Sequence, residues 1–252
     1  MSGELAAYPP LNKAPIVEAV VDLRVGQRSG FQLETFDPLR EMLAGQYPNL
    51  EEQSRLEHSF RHELGRPPEF STRDLGAYGR RYRSADGRNI AQFRRDGFTF
   101  SRLEPYTRWE EVFGEAWKLW KTYIELAKPV EVTRIAVRYI NRMLLPLPLD
   151  DLAKYLKAPP VVPAGWPPSL SGYLSRYILR DPESGAVANV TLALEPQEGD
   201  LNRPLIFDID VCEKVTLEPN DATIPTRFVR LRTMKNTIFF GGLTPEAVEL
   251  FR

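Results

Sequence analysis

The stretch IVEAVVDLRV, residues 16–25, is rich in β-branched residues, which favour a strand. Its polar residues Glu18, Asp22 and Arg24 recur at even spacing, so they share one face of the strand with Val20, and the other face is entirely apolar. A second long strand is predicted over residues 131–145, EVTRIAVRYINRMLL. Both strands have the alternation of a sheet with one buried face and one polar face.

The elements around these two strands occur twice in the same order. Residues 16–25 align with 132–141, FDPLREML at 36–43 aligns with LDDLAKYL at 149–156, and TRW at 107–109 aligns with TRF at 226–228. We therefore predict one α+β domain spanning 1–252, made of half-repeats 10–129 and 130–252. Each half runs strand, helix, antiparallel strands, helix, and together they form a large curved antiparallel sheet that grips helices. TATA-binding-protein-like and helix-grip folds have half-units of this order.

Two long helices are predicted from apolar residues that recur every three or four positions. The first follows Thr107 and carries three tryptophans on one stripe, which indicates a helix held against a sheet. The second, over 226–240, has its stripe at Phe228, Leu231, Met234 and Ile238.

Antiparallel pairing of the two first strands, in the register of the repeat, would place Glu18 near Arg138 and Asp22 near Arg134. We call the resulting set the central charged face; its members are Glu18, Asp22, Arg24, Arg134, Arg138, Arg142, Asp208 and Asp210. One interpretation is a ligand site in which arginines bind phosphate oxygens and carboxylates hold a metal, as in a nucleotide- or phosphate-processing enzyme. The other is a structural network of ion pairs between the repeats.

A second basic region, the arginine hairpin of residues 73–102, turns at Asp86-Gly87, a tight-turn sequence. Its arginines alternate with aromatic residues, a pattern typical of surfaces that bind nucleic acid or an acidic protein. The candidate binding residues are Arg80, Arg81, Arg83, Arg94 and Arg95. The alternative is a solvated sheet face whose aromatic residues point into the core.

Catalytic and cofactor motifs give no positive signal. Cys212, the one cysteine, lies in an apolar strand and is expected to be an inert thiol. His58 and His62 fall in a strand, where they would lie about 13 Å apart at roughly 3.3 Å per residue, too far to share a metal. We predict no catalytic residue, no cofactor and no metal site.

Composition limits the compartment and the general partners. The 252 residues are 42% hydrophobic and 27% charged with a formal net charge of −1, so no global field attracts nucleic acid or anionic lipid. The N-terminus lacks the pattern of a signal peptide, and no apolar run approaches the roughly 20 residues of a membrane span. We expect a cytoplasmic protein without membrane contact.

Three motifs resemble a sporadically distributed family of uncharacterised bacterial proteins of similar length: APIVEAVVDLRV at 14–25, VTRIAVRYINRM at 132–143, and KNTIFF at 235–240 with LTPEAVELF following. The resemblance carries no activity. Such patchy distribution is similar to that of accessory genes in defence or toxin–antitoxin systems. The sequence therefore favours a non-catalytic protein-interaction or ligand-binding module with a protein partner encoded nearby. The alternatives are a nucleic-acid binder and a phosphate-processing enzyme.

Overall fold

The computed structural model describes residues 8–9, 11–61, 69–149, 151–167, 170–196 and 202–252. They form an α+β structure around one nine-stranded antiparallel sheet, in which the strands lie in the order β2-β3-β4-β5-β1-β6-β9-β8-β7. The strands are β1 (Ile16–Gly26), β2 (Asn49–Arg61), β3 (Glu69–Arg83), β4 (Asn89–Arg94), β5 (Gly97–Leu103), β6 (Glu131–Pro146), β7 (Tyr173–Arg180), β8 (Val187–Leu194) and β9 (Asn202–Leu217).

The helices are fewer than the strands and pack on one face of the sheet. They are α1 (Leu39–Leu43), α2 (Trp109–Ala127), α3 (Ile224–Gly242) and α4 (Pro245–Glu249), with short 3-10 turns at Leu33–Phe36 and Leu152–Lys154. Within the ranges given above, no helix has the length and apolar character needed to cross a membrane.

The two strands that carry the aligned motifs at 16–25 and 132–141, β1 and β6, are antiparallel neighbours at the centre of the sheet. The predicted register is wrong by two residues: Val20, not Glu18, lies opposite Arg138, and Asp22 lies opposite Ala136. The pairing is irregular near both ends of β1, between Ile16 and Glu18 and again after Arg24. A slip of two keeps every side chain on its own face, so the separation into an apolar and a polar face survives the error.

The apolar face of the sheet is covered by α2 on the β1–β5 side and by α3 on β6 and β9. In α2, Trp120 and Tyr123 are completely buried and contact the ring of Phe98 on β5. In α3, Phe239 stacks on Phe207 of β9 at 5.7 Å between ring centroids. The polar face carries the alternate residues of the same strands, including the central charged face.

Candidate ligand-binding site

A cavity of about 300 Å³ opens on the helix side of the sheet, where the chain before β1 meets α3. Its walls come from Tyr8, Pro9, Leu11 and residues 14–16, from the start of α2 and the residues just before it, from Asn141 on β6, and from α3 between residues 232 and 240. Its volume falls at the lower end of the range for small-molecule sites.

Lys235 is the unusual residue of this cavity. It lies on the inner side of α3, only 7% exposed, and its Nζ sits 4.0 Å from the ring centroid of Tyr139 on β6. Burial lowers the pKa of Lys235 to about 7, and the positive charge of Arg232, one turn earlier, acts in the same direction. Among the described residues no carboxylate pairs with this amine. A buried cation without a counter-charge is rare in proteins.

The other charged groups of the cavity add to the positive charge. Arg232 lies over the ring of Trp109, with Cζ 5.5 Å from the ring centroid. Arg108 also lines the cavity and donates to Glu111 at 2.7 Å. The acidic residue of the lining is Glu110, at the exposed start of α2. Because Arg108 is paired with Glu111, Arg232 and Lys235 are the lining residues whose positive charge no described carboxylate pairs with, and they favour an anion in the space.

Neutral hydrogen-bonding groups complete the wall. Asn141 is 2% exposed, and its Nδ2 donates to the carbonyl oxygens of Phe207 at 2.7 Å and Tyr139 at 3.3 Å, which fixes the orientation of the amide. Tyr106 packs edge-on against Tyr139 at 5.9 Å, and burial raises the pKa of both phenols. The Tyr106 hydroxyl lines the cavity, stays protonated at neutral pH and can act as a donor.

Sequence reasoning missed this cavity because α3 was assigned the wrong buried stripe. The predicted stripe ran through Met234 and Ile238, which are only partly buried, whereas Lys235 and Phe239 are buried in their place. The spacing of Phe228, Leu231, Lys235 and Phe239 is an equally good helical period if lysine is allowed on the inner face. A lysine between apolar positions of a packed helix was the available signal.

The central charged face is brought together by the sheet, and Asp22 lies at its centre. Asp22 is 8% exposed and accepts from Arg134 at 2.9 Å, Arg94 at 3.0 Å and the Thr99 hydroxyl at 2.6 Å. Burial by itself would raise the pKa of Asp22, but Arg24, 3.3 Å away, outweighs it together with the other partners and holds the pKa below its ordinary value. The expected Asp22–Arg134 contact is therefore present, although through a diagonal pair.

Most of the remaining members of the central charged face also form ion pairs, either with one another or with a neighbouring residue. Arg138 binds Asp208 through two hydrogen bonds of 2.6 and 2.9 Å, rather than Glu18 as the predicted register implied. Arg134 also reaches Asp210 at 3.5 Å, and burial, the largest influence, raises the pKa of that carboxyl despite the arginine. Arg142 lies 3.9 Å from Glu195. The charges of this face are largely compensated within the protein.

The arginine hairpin comprises parts of β3, β4 and β5, and most of its candidate arginines are engaged. The ion pairs are Arg80 with Asp37, Arg81 with Glu51 at 3.2 Å, Arg83 with Glu51 at 4.0 Å, and Arg94 with Asp22 at 3.0 Å. Arg95 is exposed. The interleaved rings of Tyr82, Phe93, Phe98 and Phe100 are buried in the core, where they cannot stack on bases.

The sequence singled out two further candidates, the thiol of Cys212 and the pair His58 and His62. Cys212 is partly buried on β9, opposite Ala136 on the polar side of the sheet. His58 belongs to β2, and His62 lies outside the described residues. Among the residues that the structure describes, no group of three His, Cys, Asp or Glu could hold a metal ion.

Comparison of the chain with protein-family models and with curated protein sequences finds no match.

Proposed function

We propose that this protein is a binding module whose cavity takes a small organic anion, a carboxylate or phosphate ester with an apolar body. The observation that carries the proposal is the buried amine of Lys235, which no described carboxylate pairs with, facing a cavity beside Arg232. A bound anion supplies the missing counter-charge, and the aromatic lining accommodates the apolar body.

The half-repeats 10–129 and 130–252 belong to this proposal as well. Tyr106 and Trp109 of the first half, and Asn141 and Lys235 of the second, all line the cavity. A duplicated domain of the TATA-binding-protein-like or helix-grip type would thus hold its ligand where the halves meet. The assignment to a bacterial accessory system rests on the resemblance of the motifs alone and remains a prediction, as does the cytoplasmic location.

The two alternatives find less support. A phosphate-processing enzyme on the central charged face would need arginines free to bind phosphate, yet Arg134 and Arg138 are held by internal carboxylates. A nucleic-acid binder would need exposed rings and free cations on the arginine hairpin, whose rings are largely buried.

Calorimetric titration with three probes of similar shape tests the proposal: benzoate, phenyl phosphate and the neutral benzamide. We expect an anion to bind and benzamide not to bind, and the stronger of the two anions identifies the ligand class. Lys235→Met should abolish anion binding, whereas the matched change Lys121→Met, at an exposed position on α2, should leave it unchanged.

The pH dependence gives an independent test. If the anion needs the charged amine, and the free amine has a pKa of about 7, benzoate affinity should fall about 25-fold between pH 6.5 and 8.5. The dependence should vanish in Lys235→Met. Equal binding of benzoate and benzamide, or an affinity that does not change with pH, would contradict the proposal.

A further inference from the structure

The sheet ends on one side at β7, a strand whose exposed residues are unusually apolar. Leu174 is 73% exposed, Ile178 68%, Tyr177 44% and Leu179 42%. No strand among the described residues pairs with its outer edge. The opposite edge strand, β2, begins with exposed charged side chains such as Glu51 and Glu52, the usual protection against strand pairing. That protection is weak on β7.

The direction of the free backbone groups on β7 follows from two hydrogen bonds. The N–H of Asp181 bonds to the carbonyl oxygen of Ala186 at 2.9 Å, and the N–H of Glu195 bonds to that of Pro204 at 3.0 Å. The first bond continues the β7–β8 register, so the odd-numbered residues of β7 bond to β8. The second continues the β8–β9 register and gives the odd-numbered residues of β8 to β9, which leaves the even-numbered ones for β7 and agrees with the first. The N–H and C=O groups that point outward therefore belong to Leu174, Arg176, Ile178 and Arg180.

The charges of this edge lack the compensation found elsewhere on the same face. Arg176 donates to the amide oxygen of Asn189 at 3.3 Å, and Arg180 makes no hydrogen bond or ion pair with a described residue. The adjacent carboxylate of Asp181 is occupied by its own turn, where it accepts from Ser184. On the central charged face, by contrast, the arginines pair with carboxylates.

We propose that β7 binds an extended segment of a partner protein as a tenth strand, and that this segment carries two acidic residues with apolar residues between them. Read antiparallel, the partner residues opposite Arg180 and Arg176 are carboxylates four positions apart, with an apolar residue opposite Ile178 between them. The residues opposite Leu179 and Tyr177, on the other face, are apolar as well. Backbone hydrogen bonds give the affinity and the two carboxylates give the specificity.

A second copy of this chain fits the edge less well than such a partner. Antiparallel pairing of two β7 strands would bring two copies each of Arg176 and Arg180 into one short ladder without a carboxylate in it. Like charges on facing strands destabilise the pair. The docking surface is separate from the Lys235 cavity, so its test does not depend on the ligand-binding proposal.

The test uses the full chain and a labelled seven-residue peptide, EVIYETL, with capped ends, followed by fluorescence anisotropy. Its first and fifth residues face Arg180 and Arg176. We expect the variant peptide KVIYKTL to bind about tenfold more weakly or worse. The double variant Arg176→Glu with Arg180→Glu should reverse this preference, and both exposed changes should leave the fold intact.

A matched pair of N-methylated peptides identifies the mode of binding. Methylation at the third residue, opposite Ile178, removes an N–H that points at β7 and should abolish binding. Methylation at the fourth residue, opposite Tyr177, removes an N–H that points away and should leave most of the affinity. Equal effects of the two methylations, equal binding of the acidic and basic peptides, or a self-association that the double arginine variant abolishes would overturn the proposal.

Discussion

Replacing Lys235 with methionine tests whether the buried amine is held at a cost to the fold. Methionine has nearly the same length and flexibility, and its thioether can take the place of the ammonium over the Tyr139 ring. The wild-type protein must bury either a charge or an amine that has given up its proton. The variant buries neither, so the difference between the two proteins isolates this one group.

The magnitude follows from the pKa of Lys235, about 7 in the folded protein against 10.5 for an ordinary lysine. Because the unfolded chain binds the proton more tightly, the penalty is fully present below pH 7 and is relieved as the pH rises toward 10.5. Between pH 6 and pH 9 the wild type should gain about 2.7 kcal/mol relative to the variant, at about 1.36 kcal/mol per pKa unit.

Urea unfolding of both proteins at pH 6 and pH 9, followed by tryptophan fluorescence, measures this difference directly. Other titrating groups are shared by the two proteins and cancel in the comparison. We expect Lys235→Met to be the more stable protein at pH 6, with an advantage that shrinks at pH 9. A stability difference that is the same at both pH values, or an advantage that grows with pH, would refute the assignment of a buried amine with a depressed pKa.

Three further changes probe the framework of the fold by the same unfolding measurement. Asp22→Asn should destabilise the protein by about 3–5 kcal/mol, because it removes the carboxylate that pairs with the buried Arg94 and with Arg134. The wild-type advantage should begin to fade as the pH falls below about 4, where Asp22 of the unfolded chain takes up a proton first, and should be lost as the pH passes through the lower pKa that Asp22 has in the folded protein; an unchanged stability at pH 7 would contradict this. Gly97→Ala should cost about 2–4 kcal/mol, because its φ is +151° and a Cβ there would lie 2.1 Å from the carbonyl oxygen of Leu23; a tolerated alanine would show that the β1–β5 contact is looser than described. Asn141→Leu should cost about 0.5–1.5 kcal/mol, because it removes the side-chain hydrogen bonds to the carbonyl oxygens of Phe207 and Tyr139 while the backbone pairing of β6 with β9 remains; a neutral effect would show that these two bonds contribute nothing to stability.

The alternation of polar and apolar side chains made the strands of the sheet predictable. The register in which β1 and β6 pair was not predictable from it. β-branched residues in β1 and β6 identified both strands and their polar faces, because a strand period of two is written directly in the sequence. Their register depends on irregular pairing near Ile16 and Val25, which leaves no mark on the alternation. The predicted partner of Arg138 was wrong for this reason.

The candidate site was harder to predict than the fold because it depends on contacts between distant segments. In the helical pattern of the sequence, a lysine such as Lys235 is expected on the surface. Its burial is visible only from its contact with the ring of Tyr139 on β6. In the arginine hairpin, likewise, the sequence gives the face of Arg81 but not the carboxylate of Glu51 that pairs with it from β2. Patterns along the chain locate elements, whereas charge compensation is a property of neighbours in space.

Asp22, shared by several arginines, has a consequence for how substitutions combine. One carboxylate accepts hydrogen bonds from Arg94 and Arg134 and lies 3.3 Å from Arg24, so each arginine's contribution depends on whether the others are present. Double-mutant cycles within this group should therefore show strong non-additivity. Single exchanges would be poorly tolerated, while a concerted replacement of the whole cluster by apolar residues could be neutral. Asp22 and its arginines together therefore restrict the order in which substitutions can accumulate in this sequence more strongly than any one of these residues does alone.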